Sequence, residues 1–134
     1  SYNHRGVWFY SGKINTALKN AKKIRRMTLK VTRINSSHGV STAANVWLSP
    51  CLQVSKSSGK PFGVTALHYK AATLGRGQTK TIEIPSTYYQ GFLNGTYKSF
   101  CIWAGDPTSY SSPDYILCHG AGTTSGQVYV EWEE

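Results

Sequence analysis

A chain of 134 residues is long enough to build one hydrophobic core and too short for two, which argues for a single domain over residues 1–134. Hydrophobic residues make up 40% and charged residues only 16%, and no apolar run approaches the roughly 20 residues of a membrane-spanning helix, so disordered and helix-anchored classes are excluded. Fifteen Lys and Arg stand against six Asp and Glu, a net charge of +9, and three of the acids (Glu131, Glu133, Glu134) fall within the last four residues. Such a field attracts polyanions: nucleic acid, an anionic membrane surface or an acidic cell-wall polymer. It equally describes a solvated strand face whose charge serves solubility.

Residues 6–10 (GVWFY) form an aromatic run suited to a buried first strand. In residues 11–19, Ile14, Ala17 and Leu18 recur at helical spacing after Ser11, a residue that caps helices, and predict about two turns of helix. The clearest alternation follows: Met27, Leu29 and Val31 on one side, Arg26, Thr28, Lys30 and Thr32 on the other, the period of a half-buried antiparallel strand. Residues 35–39 (NSSHG) are a turn cluster.

Residues 45–54 predict a strand with Val46, Leu48 and Leu52 inward and Trp47 and Cys51 on the opposite face. Pro50 cannot donate to a ladder and places this strand at an edge or a bulge. After a loop at 55–61, residues 65–69 predict a short strand, and 78–84 alternate again, burying Ile82 and Ile84 before Pro85 stops them. Residues 86–93 predict a second short helix ended by Asn94-Gly95, and 97–103 a strand burying Phe100 and Ile102. A polar loop at 105–114, a short strand at 115–118, a hairpin signal at Gly120-Ala121-Gly122 and a last strand at 128–132 complete the chain. The expected fold is all-β: an antiparallel sandwich of jelly-roll type with two short helical connectors.

The three cysteines, Cys51, Cys101 and Cys118, are too sparse for a secreted disulfide framework and lack zinc-binding spacing. They read as free thiols made in a reducing cytoplasm, with a Cys101–Cys118 disulfide as the alternative. Catalytic chemistry is thinly provided. Outside the C-terminal acids only Glu83, Asp106 and Asp114 exist, where glycoside hydrolysis needs two positioned carboxylates. No G-x-S-x-G elbow is present, and His4, His38, His68 and His119 lack triad or metal spacing. A non-enzyme without cofactor or metal is expected. Asp106 and Asp114 offer oxygen ligands to calcium, but a turn role for these D-P and P-D pairs explains them as well.

The order of the pieces carries a resemblance. "RGVWFY", "INTALKN", "KKIRRMTLKVTRINSSHG", "ANVWLSPC", "SGKP", "LGRGQTKTIEIPSTYYQGFLNGTYKSFCIW" and "GQVYVEWEE" follow one another from Arg5 to Trp132. In this order they resemble the C-terminal β-sandwich modules of bacteriophage tail and baseplate proteins. The resemblance implies the C-terminal domain of a longer virion protein, acting outside the host on cell-surface glycans. A Gram-positive wall polysaccharide or teichoic acid is the implied ligand, and a homotrimer or other tail subunits are the implied partners. Its motifs are structural and carry over no ligand-binding residue.

Candidate binding residues come from the chain itself. Seventeen aromatic residues, nine of them Tyr, exceed what a core of this size needs, and rings beside polar groups suit sugars. Tyr110 and Tyr115 with Asp106 and Asp114 form the first group. Trp47 and Trp103, which oppose the core face of their strands, form the second, with burial as the competing account. Tyr69, His68 and Arg76 form the third. Arg25, Arg26, Lys30 and Arg33 define an electrostatic face for an anionic ligand. Interleaved rings and cations also describe single-stranded nucleic-acid binders, and a purely structural virion domain is the third class.

Overall fold

The structure, a computed structural model, describes residues 5–35, 42–53, 65–105, 118 and 125–134. Among these residues seven strands and two short helices follow in the order β1 (Arg5–Trp8), α1 (Lys13–Ala17), β2 (Lys23–Thr32), β3 (Ala44–Cys51), β4 (Tyr69–Leu74), β5 (Thr79–Glu83), α2 (Tyr89–Leu93), β6 (Ser99–Ala104) and β7 (Gln127–Glu133). The strands pair antiparallel in two sheets, β1-β6-β3-β4 and β5-β2-β7. The fold is an all-β sandwich, as the alternation predicts.

One apolar layer joins the sheets. Met27, Leu29 and Val31 of β2 and Ile82 of β5 meet Val46 and Leu48 of β3, Phe100 and Ile102 of β6 and Trp8 of β1. Ile14 and Leu18 around α1, and Tyr88 and Phe92 around α2, join the same core. Each fully buried side chain of this kind contributes about 1.5–3 kcal/mol, so the alternation of β2 alone commits several kcal/mol to one choice of face. A bulge between Ile24 and Arg26 inserts one extra residue into β2, and Arg25 and Arg26 are consequently both exposed.

Four local expectations are corrected. Ser11 does not cap α1: Ser11 and Gly12 both take positive φ, 52° and 75°, and Gly12 is the N-cap without a side-chain bond. The left-handed pair turns the chain sharply out of β1, and Lys13 N–H reaches back to the Tyr10 carbonyl at 2.9 Å. Leu52 lies past the end of β3 and is 44% exposed, because the strand stops at Cys51. β3 is an interior strand, and its irregularity falls between Val46 and Trp47 rather than at Pro50. Pro50 is tolerated because β4 pairs only as far as Leu48, which leaves β3 without that neighbour at the proline. Residues 65–67 form a 3-10 turn, not a strand, and the strand begins at Tyr69. The Tyr88 hydroxyl donates to the Leu67 carbonyl at 2.6 Å and fixes this turn.

The second helix comes as a 3-10 turn (Ser86–Tyr88) followed by α2, and Gly95, at φ 82°, follows it. Asn15 ties the two helices by donating to the carbonyls of Phe92 (3.1 Å) and Tyr97 (2.9 Å). All three cysteines are free thiols.

Candidate functional site

The outer face of the three-stranded sheet gathers polar side chains of three strands, of which Thr28 and Thr32 are buried. The β2 alternation that buries Met27, Leu29 and Val31 turns Arg26, Thr28, Lys30 and Thr32 the other way. Register then sets their neighbours. Thr28 lies between Glu83 of β5 and Tyr129 of β7, Lys30 between Thr81 and Gln127, and Arg26 beside Glu131. Tyr129 is 53% exposed, the most open large hydrophobic side chain among the described residues. Because it faces Thr28, Arg26 and Lys30 are its two diagonal neighbours, a spacing of about 7–8 Å in an antiparallel pair.

The cations of this face differ in character. Arg26 donates from Nε to Glu83 Oε1 at 2.9 Å and also from Nη2 to the same oxygen. This hydrogen bond raises the guanidinium pKa and lowers that of the Glu83 carboxyl. Arg25 is paired with Glu133, whose carboxyl is held below its usual range by the same contact. Lys30 has no carboxylate partner among the described residues. At the far end the hydroxyls of Thr32 and Thr79 are 2.7 Å apart. The result is a surface with one exposed ring, the ammonium of Lys30, the guanidinium of Arg26 shared with Glu83, the carboxylate of Glu131 and the exposed hydroxyls of Thr79 and Thr81, while Thr28 and Thr32 are buried beneath their neighbours. A ring of this kind stacks on apolar C–H faces, the hydroxyls and Gln127 exchange hydrogen bonds, and the cations attract phosphate or carboxylate.

The residues expected from the sequence separate into different places. Arg25, Arg26 and Lys30 are exposed or half-buried on β2, as an electrostatic face requires. Arg33 is not part of that face: it is 1% exposed and donates from Nη1 to the carbonyls of Thr42 (3.0 Å) and Leu74 (2.8 Å). Its charge is spent on backbone acceptors between the sheets. Trp47 and Trp103 face each other across β3 and β6 on the outer side of the other sheet. Trp103 is 6% exposed and packs with Cys51 and Cys101, so burial accounts for it, while Trp47 is half-buried with its ring 5.4 Å from that of His68.

Tyr69 follows His68 in the chain but packs elsewhere, edge-on to Tyr88 at 6.2 Å, and burial pushes its phenol up to about 12. Arg76 lies in the turn after β4, the opposite end of that strand from His68 and on the order of 20 Å away along it. The third expected group is therefore not one site. Tyr110, Tyr115, Asp106 and Asp114 lie outside the described residues.

Sequence reasoning missed Tyr129, Gln127, Thr79 and Thr81. The signal was present in "GQVYVEWEE", where Val128 and Val130 alternate with Gln127, Tyr129 and Glu131. What it lacked was the pairing that sets Tyr129 beside β2. Among the described residues no three His, Cys, Asp or Glu side chains come together as metal ligands, and no helix is long and apolar enough to cross a membrane. Compared with family models, curated proteins and solved structures, the chain matches none.

Proposed function

We propose that this domain is a non-catalytic glycan-binding module of a phage tail protein, which attaches the virion to an anionic cell-wall polymer of a Gram-positive host. The observation that carries the reading is the exposed Tyr129 ring between the diagonal cations Arg26 and Lys30, on a sheet face that also exposes the hydroxyls of Thr79 and Thr81. A sugar stacks on the ring, and the phosphate or carboxylate groups of a teichoic acid or acidic polysaccharide meet Lys30 and the shared guanidinium of Arg26. The phage setting rests on the resemblance in the order of sequence motifs. Virion assembly as a structural domain is the second reading, favoured by the burial of Trp8, Tyr88, Phe92, Phe100 and Trp103.

The test is sedimentation of the purified domain with intact Gram-positive walls and with walls stripped of teichoic acid and polysaccharide, with single-stranded DNA as competitor. Binding that is lost on stripping, indifferent to DNA and weakened by Tyr129→Ala is the expected result. Competition by DNA would move the same face to nucleic-acid recognition. Absence of binding to either would leave the structural reading.

A further inference from the structure

The outer face of the four-stranded sheet carries two thiols side by side, and we propose that Cys51 and Cys101 form a dithiol site that a small hydroperoxide oxidises to a disulfide bridging β3 and β6. In the β3–β6 ladder Cys51 faces Ser99 and Cys101 faces Ser49. The two cysteines are therefore diagonal neighbours on adjacent strands, on the opposite side from the core residues Leu48, Phe100 and Ile102. They pack with Trp103 in a buried cluster of their own, against which Trp47 leans. Cys101 donates a hydrogen bond to the Cys51 sulfur, and the backbone N–H groups of Leu52 and Gln53 donate to the same atom. These donors prepare Cys51 as the thiolate of the pair, in agreement with a pKa of about 6.

The third thiol is excluded by position. Cys118 bridges to Arg33, just past the end of β2 in the other sheet, and packs against the core between the sheets. It belongs to the inner layer, whereas Cys51 and Cys101 belong to the outer one, so the Cys101–Cys118 pairing is set aside. Burial also pushes the Cys118 thiol up to about 11.

Diagonal positions stand about 7–8 Å apart at Cα, against at most about 6.8 Å across a disulfide, so the two strands must draw together by on the order of 1 Å. Cys51 is placed to do so: it ends β3, and β4 pairs only as far as Leu48, which leaves β6 as the strand that holds this end among the described residues. The chemistry balances with the peroxide as oxidant. The Cys51 thiolate attacks one peroxide oxygen, the O–O bond breaks, and the other oxygen leaves and takes up a proton as water or an alcohol. Cys51 is then a sulfenic acid. The Cys101 sulfur gives up its proton and attacks the Cys51 sulfur, and the S–O bond breaks as hydroxide leaves to become water. Each thiol loses one electron and the peroxide gains two. Both sulfurs are buried, which selects an oxidant scarcely larger than water over bulky disulfides. Neither thiol lies on the β2 face, so the inference stands apart from the glycan reading.

The test is hydrogen peroxide treatment of the reduced, folded domain, followed by thiol blocking in denaturant, intact mass measurement and peptide mapping. Expected is a mass lower by two hydrogens, a free thiol at Cys118, and a Cys51–Cys101 link that Cys118→Ser retains. The rate should rise about tenfold from pH 5 to pH 7 and level off above, as a thiol of pKa about 6 requires. Cys101→Ser with unchanged circular dichroism should add oxygen to Cys51 in place of the link. Oxygen added to the parent domain without a link, a link to Cys118, or a link that forms only in denaturant would overturn the proposal. So would a folded domain whose thiols survive the peroxide that oxidises the denatured chain.

Discussion

Arg33 donates to the carbonyl of Leu74 at 2.8 Å, although one residue follows a strand of the three-stranded sheet and the other ends a strand of the four-stranded sheet. The same nitrogen reaches the Thr42 carbonyl, and the backbone of Arg33 pairs with Gln78 and Gly77. One side chain therefore joins β2, β4 and the approach to β3. Arg33→Met should cost about 2–4 kcal/mol in urea unfolding, because it leaves two inward carbonyls without a donor. Arg33→Lys should recover only part, since an ammonium lacks the planar fork.

Gly91 lies in α2 beneath the ring of Tyr97, and a Cβ built on it falls within that ring. Neither partner can move freely, because Tyr97 also packs edge-on against Phe92 and its carbonyl accepts from Asn15. Gly91→Ala should destabilise the domain by about 1–3 kcal/mol. The loss should shrink in a Tyr97→Leu background, which a double-mutant cycle would measure.

Burial raises the phenol pKa of Tyr10 and Tyr88 and pushes that of Tyr69 up to about 12, against an ordinary value of 10.0. A raised pKa means that the neutral form is favoured by folding. The stability it brings is whole below pH 10 and is lost as pH climbs toward the folded value. The phenolate absorbance of these three tyrosines should therefore appear only together with unfolding.

A hydrogen bond from Cys101, helped by Ser99 and the backbone at Leu52 and Gln53, outweighs burial and draws the Cys51 thiol down to about 6 from 9.0. Here the sign is opposite: the thiolate is favoured by folding, and stability is gained as pH rises from 6 toward 9. The denaturation midpoint should climb over that interval in the parent domain and stay flatter in Cys51→Ser. The slope, rather than the absolute midpoint, is the quantity to compare.

On the sheet face, Lys30→Gln should lower affinity for teichoic-acid-bearing walls by about tenfold and reduce its dependence on salt, as the loss of one exposed cation does. Arg26→Ala should be worse than its single charge implies, because it leaves the Glu83 carboxylate unopposed on the same face. Binding assays from 50 mM to 500 mM salt, values of roughly one Debye-length regime each, separate the two effects.

Much of the fold was legible because its strands alternate cleanly. Met27, Leu29 and Val31, and again Ile82 with Ile84, declare their buried side without reference to any partner. Positions whose burial depends on a distant partner do not declare it in the local pattern. Residues 69–74 read poorly as a strand because YKAATL has no strong period, and β4 exists through its pairing with β3. Arg33 looked like the end of a charged stripe; only the carbonyls of Thr42 and Leu74, nine and 41 positions away, show why it turns inward. Trp103 looked available because it opposes Ile102, yet both faces of β6 are buried. Tyr129 is the converse case, an ordinary strand tyrosine until β7 is laid beside the cations of β2.

The division of labour along β2 has an evolutionary consequence. Its core residues are sealed against the opposite sheet, while Arg26, Lys30 and their neighbours Thr81, Gln127 and Tyr129 stand on the other side of the same backbone. Exchanges at such exposed positions usually move stability by less than about 0.5 kcal/mol. The side chains of this face can thus be exchanged one codon at a time with little cost to folding at each step, which leaves the recognition proposed for it free to drift while the core stays fixed.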